Sequence, residues 1–385
     1  MSTGAPASLD LPYPTGGTAT ARESLAVHRA VFWALLSGKL IAGWGVQWDI
    51  QWHVRIGRDT FWIWPHVMTY AGVTVAALLS FGMLAWDTRR GHAPVAALRL
   101  AGLSGTRGFH LAAWGMALTV LAAPIDDLWH RLFGLDVTLW SPPHLLGIAG
   151  GVVNSWGCLL IAREVYADGP ARLAGLALAG AALFRGLHLT VEPSMLTAYV
   201  HGGVHFFTLA MLSALILPLA LIPAARLSGR RWMPLAVLAL VIATGVIGSQ
   251  IARVGFEILR PVSVIDEEIA KDPTSPIALA TAIARKTGST PGSTGGLFHV
   301  VSVLPVLALV VVDPRRRPVS AAVAYGAGLF ATSGWTFAAN PAFAPQVPGP
   351  VAMAAALALT LAAGVVGGHL GRRLSDALAP DTAPR

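Results

Sequence analysis

Apolar stretches close to the ~20 residues needed to cross a bilayer recur from one end of this chain to the other. They lie near residues 27–52, 66–86, 109–130, 144–162, 172–191, 200–222, 232–256, 297–312, 319–338 and 350–371. That pattern leaves little choice of fold, because a segment crossing hydrocarbon satisfies its backbone within itself as a helix. With 385 residues, 12% of them charged, and a mean hydropathy of +0.63, the chain is too apolar for an ordinary soluble protein. The expectation is an all-α, polytopic integral membrane helical bundle of about ten transmembrane helices, the eighth being the shortest.

The rest of the chain is apportioned around those spans. Residues 1–24 lack a basic region followed by a short apolar core and read as a retained, disordered cytoplasmic tail. A membrane part over 25–230 is followed by further membrane helices over 231–373, with a polar, mobile external loop at about 257–296, and 374–385 reads as a second disordered tail. A single cysteine, Cys158, excludes an intramolecular disulfide and argues against a thiolate cluster. The net charge of +8 does not point to nucleic acid, because the arginines are spread over alternate loops. Arg89, Arg90, Arg99, Arg107, Arg163, Arg172, Arg226, Arg230, Arg231, Arg315, Arg316, Arg317, Arg372 and Arg373 all fall on one side. The positive-inside rule then puts both termini in the cytoplasm and the odd-numbered turns outside the plasma membrane.

Two of those outward turns carry the same chemistry. Asp49, His53 and His66 in the first are matched by Asp126, His130 and His144 in the second, each set ending in Pro-His. The acids are 77 residues apart, as are the first histidines, and the last histidines are 78 apart. An acid and a histidine four residues apart share a helix face. A proline just inside the returning helix is tolerated in its first turn, so a hairpin can bring the third side chain back to the first two. Gly57 and Gly134 repeat as well, as do Asp59 and Asp136, which read as residues orienting the imidazoles. A weaker third copy follows: His188 and Glu192, four apart before Pro193, which stops the helix after Glu192, then His201 and His205 on the returning helix, a further metal or proton site.

Ionisable groups inside a membrane cost several kcal/mol unless paired, hydrated or bound to a cation, so they mark function. One carboxylate and two imidazoles without thiolate suit copper, zinc, iron or nickel, with positions left for water or substrate. The bland alternative is a hydrogen-bonded pair at the interface, set in an aromatic belt of Trp44, Trp48, Trp52, Trp62, Trp64, Trp129 and Trp140. His28, His92, His110 and His369 lack ligand-type neighbours and read as surface or helix-end residues, and His299 as a lone histidine.

At these same residues, over about 45–150, the sequence resembles the C subunit of the copper membrane monooxygenases, the family of particulate methane and ammonia monooxygenases. That subunit carries an Asp-x3-His-x12-His copper site, matched here by Asp49, Trp52-His53, Arg58-Asp59-Thr60, Pro65-His66 and Tyr70. Its second site, Asn-x3-His-x13-His, is matched by Asp126, His130, Pro142 and His144, with Asp in place of Asn and Asp127 as an alternative ligand. The chain departs from the family in placing the first motif on its first membrane helix, in its additional helices, and in lacking a cupredoxin-like domain. The resemblance implies one or two copper ions, dioxygen, an external electron donor such as a quinol, further membrane subunits, and a small apolar substrate or ammonia. Zinc or iron remains compatible with the donor set. Two other functions compete: a metal-ion or proton transporter, and a noncatalytic assembly subunit.

Overall fold

The computed structural model describes residues 19–57, 60–91, 97–133, 139–291 and 302–379. Two long helices, α1 (Ala19–Arg55) and α2 (Trp64–Arg90), form the first hairpin. A small antiparallel ribbon, β1 (Leu98–Leu100) and β2 (Leu103–Gly105), turns at Ala101-Gly102, both with positive φ as a two-residue hairpin turn demands. It leads into the second hairpin, α3 (Arg107–Phe133) and α4 (Pro142–Val165). Next come α5 (Pro170–Leu189), α6 (Ser194–His201), a 3₁₀ turn at Gly203–Phe207, α7 (Thr208–Ile216) and α8 (Pro218–Ser228). The remainder is α9 (Met233–Leu259), α10 (Ile265–Lys271), α11 (Pro276–Thr287), α12 (Val303–Val312), α13 (Pro318–Ala338) and α14 (Pro350–Ala377). Proline occupies the first turn of α2, α4, α5, α8, α9, α11, α13 and α14, where no amide partner is lost and φ is already helical.

Among the described residues, eight helical stretches are long and apolar enough to cross a membrane. They coincide with all the expected spans except the eighth and ninth. The described part of the eighth is α12, ten residues long. The ninth is α13, whose Gly, Ser and Thr residues leave it less apolar than the eight. α1 packs on α2 and α9, α4 on α3 and α5, and α14 on α13, α7 and α8. A continuous core of Phe32, Leu36, Phe109, Leu159, Leu176, Leu221 and Val237 joins these layers.

Small residues close both hairpins. A side chain on Gly72 would meet the Ala42 amide at 2.4 Å and the Gly38 carbonyl at 2.5 Å; one on Gly115 would meet the Asn154 amide at 2.5 Å and the Gly150 carbonyl at 2.7 Å. Gly38 and Gly115 are 77 residues apart and Gly72 and Gly150 are 78 apart, the offsets of the acids and histidines. Lipid gives helices no hydrophobic reason to associate, so close backbone approach through small residues supplies the packing. Gly115→Ala is therefore expected to destabilise the chain by about 1–3 kcal/mol through overpacking, read as a lower unfolding midpoint in detergent. Gly82→Ala, with open space around it, is the control that leaves the midpoint in place.

Several sequence expectations change. The segment at about 257–296, expected as a mobile loop, holds the end of α9 and the helices α10 and α11. Ile277, Ala278, Thr281 and Ala284 of α11 are buried, and Val264 and Ser263 donate to the carbonyls of Ile56 and Arg55 at 2.8 and 2.7 Å. A single apolar stripe on a short helix is too weak a hydropathy signal to stand out beside membrane spans. The fifth helix ends at Leu189, three residues before Glu192, because the chain turns through i→i+3 bonds from Thr190 to Leu187 and Val191 to His188. Trp48 and Trp52 are buried against Phe256 of α9, not set in an interfacial belt, whereas Trp62 and Trp64 are exposed. His28 and His110 are buried rather than on the surface, His110 standing at a helix end, in the first turn of α3. The helical part begins at Ala19, inside the segment assigned to the first tail, and α14 runs to Ala377, into the second.

Candidate metal centre

Gly45, Asp49 and His53 recur every four residues along the last turns of α1, so they share a face. A side chain on Gly45 would meet the Thr69 amide at 2.6 Å and the Pro65 carbonyl at 3.0 Å, so its absence lets the first turn of α2 lie against α1 at this depth. Ile63, in an extended conformation, and Pro65 start α2 so that His66 falls in that turn. His66 Nε2 then stands 3.1 Å from Asp49 Oδ1, and His53 Nδ1 stands 3.5 Å from the same oxygen. Two ligands about 2.0–2.2 Å from a tetrahedral ion are separated by about 3.3 Å, so the His66–Asp49 spacing is that of donors around one ion as well as of hydrogen-bonded partners. His53 Nδ1 also donates to the backbone carbonyl of Asp49 at 2.9 Å. That bond fixes the tautomer and leaves Nε2 as the lone-pair nitrogen, the arrangement metal-ligating histidines adopt. Tyr70, a turn beyond His66, places its ring 5.7 Å from the imidazole.

The second hairpin repeats the construction. Ser141 caps α4 by accepting from the His144 amide at 3.4 Å, with Pro142 and Pro143 in the first turn. His144 Nε2 lies 3.4 Å from Asp126 Oδ1. Asp127, the alternative ligand, pairs instead with Arg131 at 2.7 Å on an exposed face. The side chain of His130, and Asp59, Gly134, Asp136, His92 and His299, lie outside the described residues. Among the described residues, no group of three or more His, Cys, Asp or Glu is gathered as a ready-made ion site.

No family model, curated protein or solved structure matches this chain. The chemistry must therefore be read from the geometry.

One cavity of about 730 Å³ joins the hairpins: Asp49 and His53, Asp126 and His144, and His188 and Glu192 all line it. The third motif divides, because His201 and His205 face outward, their rings 5.5 Å apart across the Gly202-Gly203 break in the helix. The His188 ring stacks on Phe184 at 6.2 Å.

Sequence reasoning missed two polar groups. Lys39 and Arg185 line the cavity, Arg185 donating to Gln47 at 2.8 Å while Gln47 donates to Ser249 and to the Gly245 carbonyl, both at 2.9 Å. Their signal was present, each being a lone cation inside an apolar span, but neither belongs to the repeated motif. At the other end of the hairpins, His28 Nε2 and Asp87 Oδ2 lie 3.1 Å apart and both side chains are fully buried. Glu164 accepts from Thr106 at 2.6 Å and from the Gly108 amide at 2.9 Å. Those partners come from four different helix ends, so no spacing in the sequence announces them.

Proposed function

We propose that this chain is a copper-binding membrane protein resembling a monooxygenase C subunit, in which Asp49, His53 and His66 hold one ion and Asp126, His130 and His144 a second. The observation that carries the reading is the approach of a Pro-His histidine to an aspartate in two hairpins of the same construction, on one cavity. Within it, the chain crosses the plasma membrane about ten times, with both termini cytoplasmic and the hairpin tips outward. Copper bound there would activate dioxygen with two electrons from a quinol or a partner subunit, for oxidation of a small apolar molecule or ammonia. Asp49 contributes the anionic donor, and its backbone carbonyl orients His53. Apolar cavity walls from Leu40, Met116, Ile148 and Phe184 would surround an apolar substrate. Asp126 in place of a neutral amide adds negative charge to the second site, favouring a more highly charged ion there.

The test is elemental analysis of gently purified protein, before and after copper loading. Two copper ions per chain, with His53→Ala and His130→Ala each removing one, support the reading, and oxygen uptake by membranes containing the protein then tests catalysis. No transition metal in any preparation returns these residues to a structural or proton-transfer role.

A second reading, a proton or metal-ion transporter, is favoured by one observation. The buried His28–Asp87 pair and Glu164 sit at the opposite end of the hairpins from Asp49 and Asp126, so ionisable groups occur at more than one depth. Ion flux into protein-containing vesicles, without oxygen uptake, would decide for it.

A further inference from the structure

The cavity carries two cations that the metal reading does not use, Lys39 and Arg185, and Arg185 is held by the Gln47 side chain at 2.8 Å. Lys39 lies near the middle of the first membrane span, Arg22–Arg55, where a lysine costs at least about 2.5–3.5 kcal/mol. Such a residue is kept only where something compensates the charge. Among the described residues its ammonium has one hydrogen bond, to the Gly151 carbonyl at 3.2 Å, and that oxygen is shared with Ser155. No described carboxylate pairs with it. An ammonium has three donors, so two remain for whatever fills the cavity that Lys39 lines.

The surroundings define that occupant. A volume of about 730 Å³ lies within the roughly 300–1,000 Å³ of sites that enclose drug-sized molecules. The walls are mostly apolar, while the carboxylates that line the cavity, Asp49, Asp126 and Glu192, stand where the helices turn. Lys39 and Asp49 are ten residues apart on α1, about 15 Å along the axis. The occupant therefore meets positive charge at mid-depth and, from there to the Asp/His pairs, a mostly apolar wall broken by the Arg185–Gln47 pair. A phospholipid does not fit that description, because its headgroup stays at the interface, about 15 Å from the midplane.

We propose that the cavity is a binding site for a long-chain carboxylate, its head on the Lys39 ammonium and its alkyl chain running toward the Asp49 and Asp126 pairs. The site stands on the cavity and the lysine, and holds whether or not the hairpins bind copper. A carboxylate at Lys39 replaces the missing counter-ion, and the chain fills apolar space that water would occupy only at a cost.

The test uses the full-length protein in detergent micelles, stripped of metal with a chelator, with palmitate and hexadecanol as probes in equilibrium binding. Saturable palmitate binding, at least tenfold tighter than hexadecanol, is expected for the wild type. Lys39→Met should lose that preference while still taking up hexadecanol, and Lys39→Arg should keep it. Equal binding of the two probes to the wild type overturns the proposal, as does the absence of saturable palmitate binding. So does Lys39→Met that binds palmitate like the wild type. The wild-type comparison of the two probes decides the matter even if the variant does not fold. Because metal is absent throughout, failure here is separate from failure of the copper reading.

Discussion

Asp49→Ala is expected to weaken binding of the first copper ion by a hundredfold or more while leaving the second ion in place. Its Oδ1 is the atom to which both His66 Nε2 and His53 Nδ1 converge, and its carbonyl sets the His53 tautomer. Losing an outer partner of a metal ligand typically costs about 10–100-fold in affinity, and Asp49 is proposed as a ligand itself. Copper titration of Asp49→Ala and Asp126→Ala, each followed by elemental analysis, checks this directly. Each variant should keep the ion the other loses. Loss of both ions from either variant, with the fold intact by circular dichroism, would mean that the hairpins share a single site; retention of both would remove the aspartates from the ligand set.

His28→Ala is expected to destabilise the protein by about 3–5 kcal/mol, the cost of stranding one member of a buried charged pair. His28 Nδ1 donates to the Ser24 carbonyl at 2.8 Å, and Nε2 lies 3.1 Å from Asp87 Oδ2. Among the described residues Asp87 Oδ1 has no hydrogen-bond partner, so removing the imidazole takes away the carboxylate's described side-chain hydrogen bond. The double variant His28→Leu with Asp87→Leu should recover most of the loss, because replacing both partners with apolar groups removes the desolvation cost as well. Unfolding midpoints in detergent measure both. If the double variant is stable yet ends ion flux through vesicles, the pair serves transport; if flux is absent from the wild type too, it serves the fold.

These two predictions differ in how far the sequence foretold them. Asp49, His53 and His66 were legible because helical spacing and a Pro-His start are local signals, and their recurrence at offsets of 77 and 78 residues separated them from ordinary interfacial residues. The helix starts were legible for the same reason, proline marking them one after another. His28 and Asp87 were not, since a contact across 59 residues between two apolar spans leaves no pattern in either. Lys39 was visible as a charge but not as a cavity wall, because which face of α1 meets the cavity depends on how α4 and α5 lie against it. Trp48 and Trp52 misled for a related reason. Tryptophan near a span end has two destinations, the headgroup region or a neighbouring helix, and only the position of Phe256 on α9 decides between them. The amphipathic α11 was hidden by scale, its stripe being short beside spans twice its length.

The glycine contacts in the two hairpins separate what holds each pair together from what each pair does. Close approach is secured in the stem by Gly38 with Gly72 and by Gly115 with Gly150, whereas the acids and histidines sit at the tip. Apart from Gly45, whose contacts with Thr69 and Pro65 lie at the first tip, variation among the acids and histidines leaves these stem contacts in place. A hairpin of this kind can exchange one side chain at its tip for another without renegotiating the helix crossing beneath it. The stem works as a reusable handle, and under the copper reading proposed above the metal preference of each tip becomes a trait that mutation can tune one residue at a time.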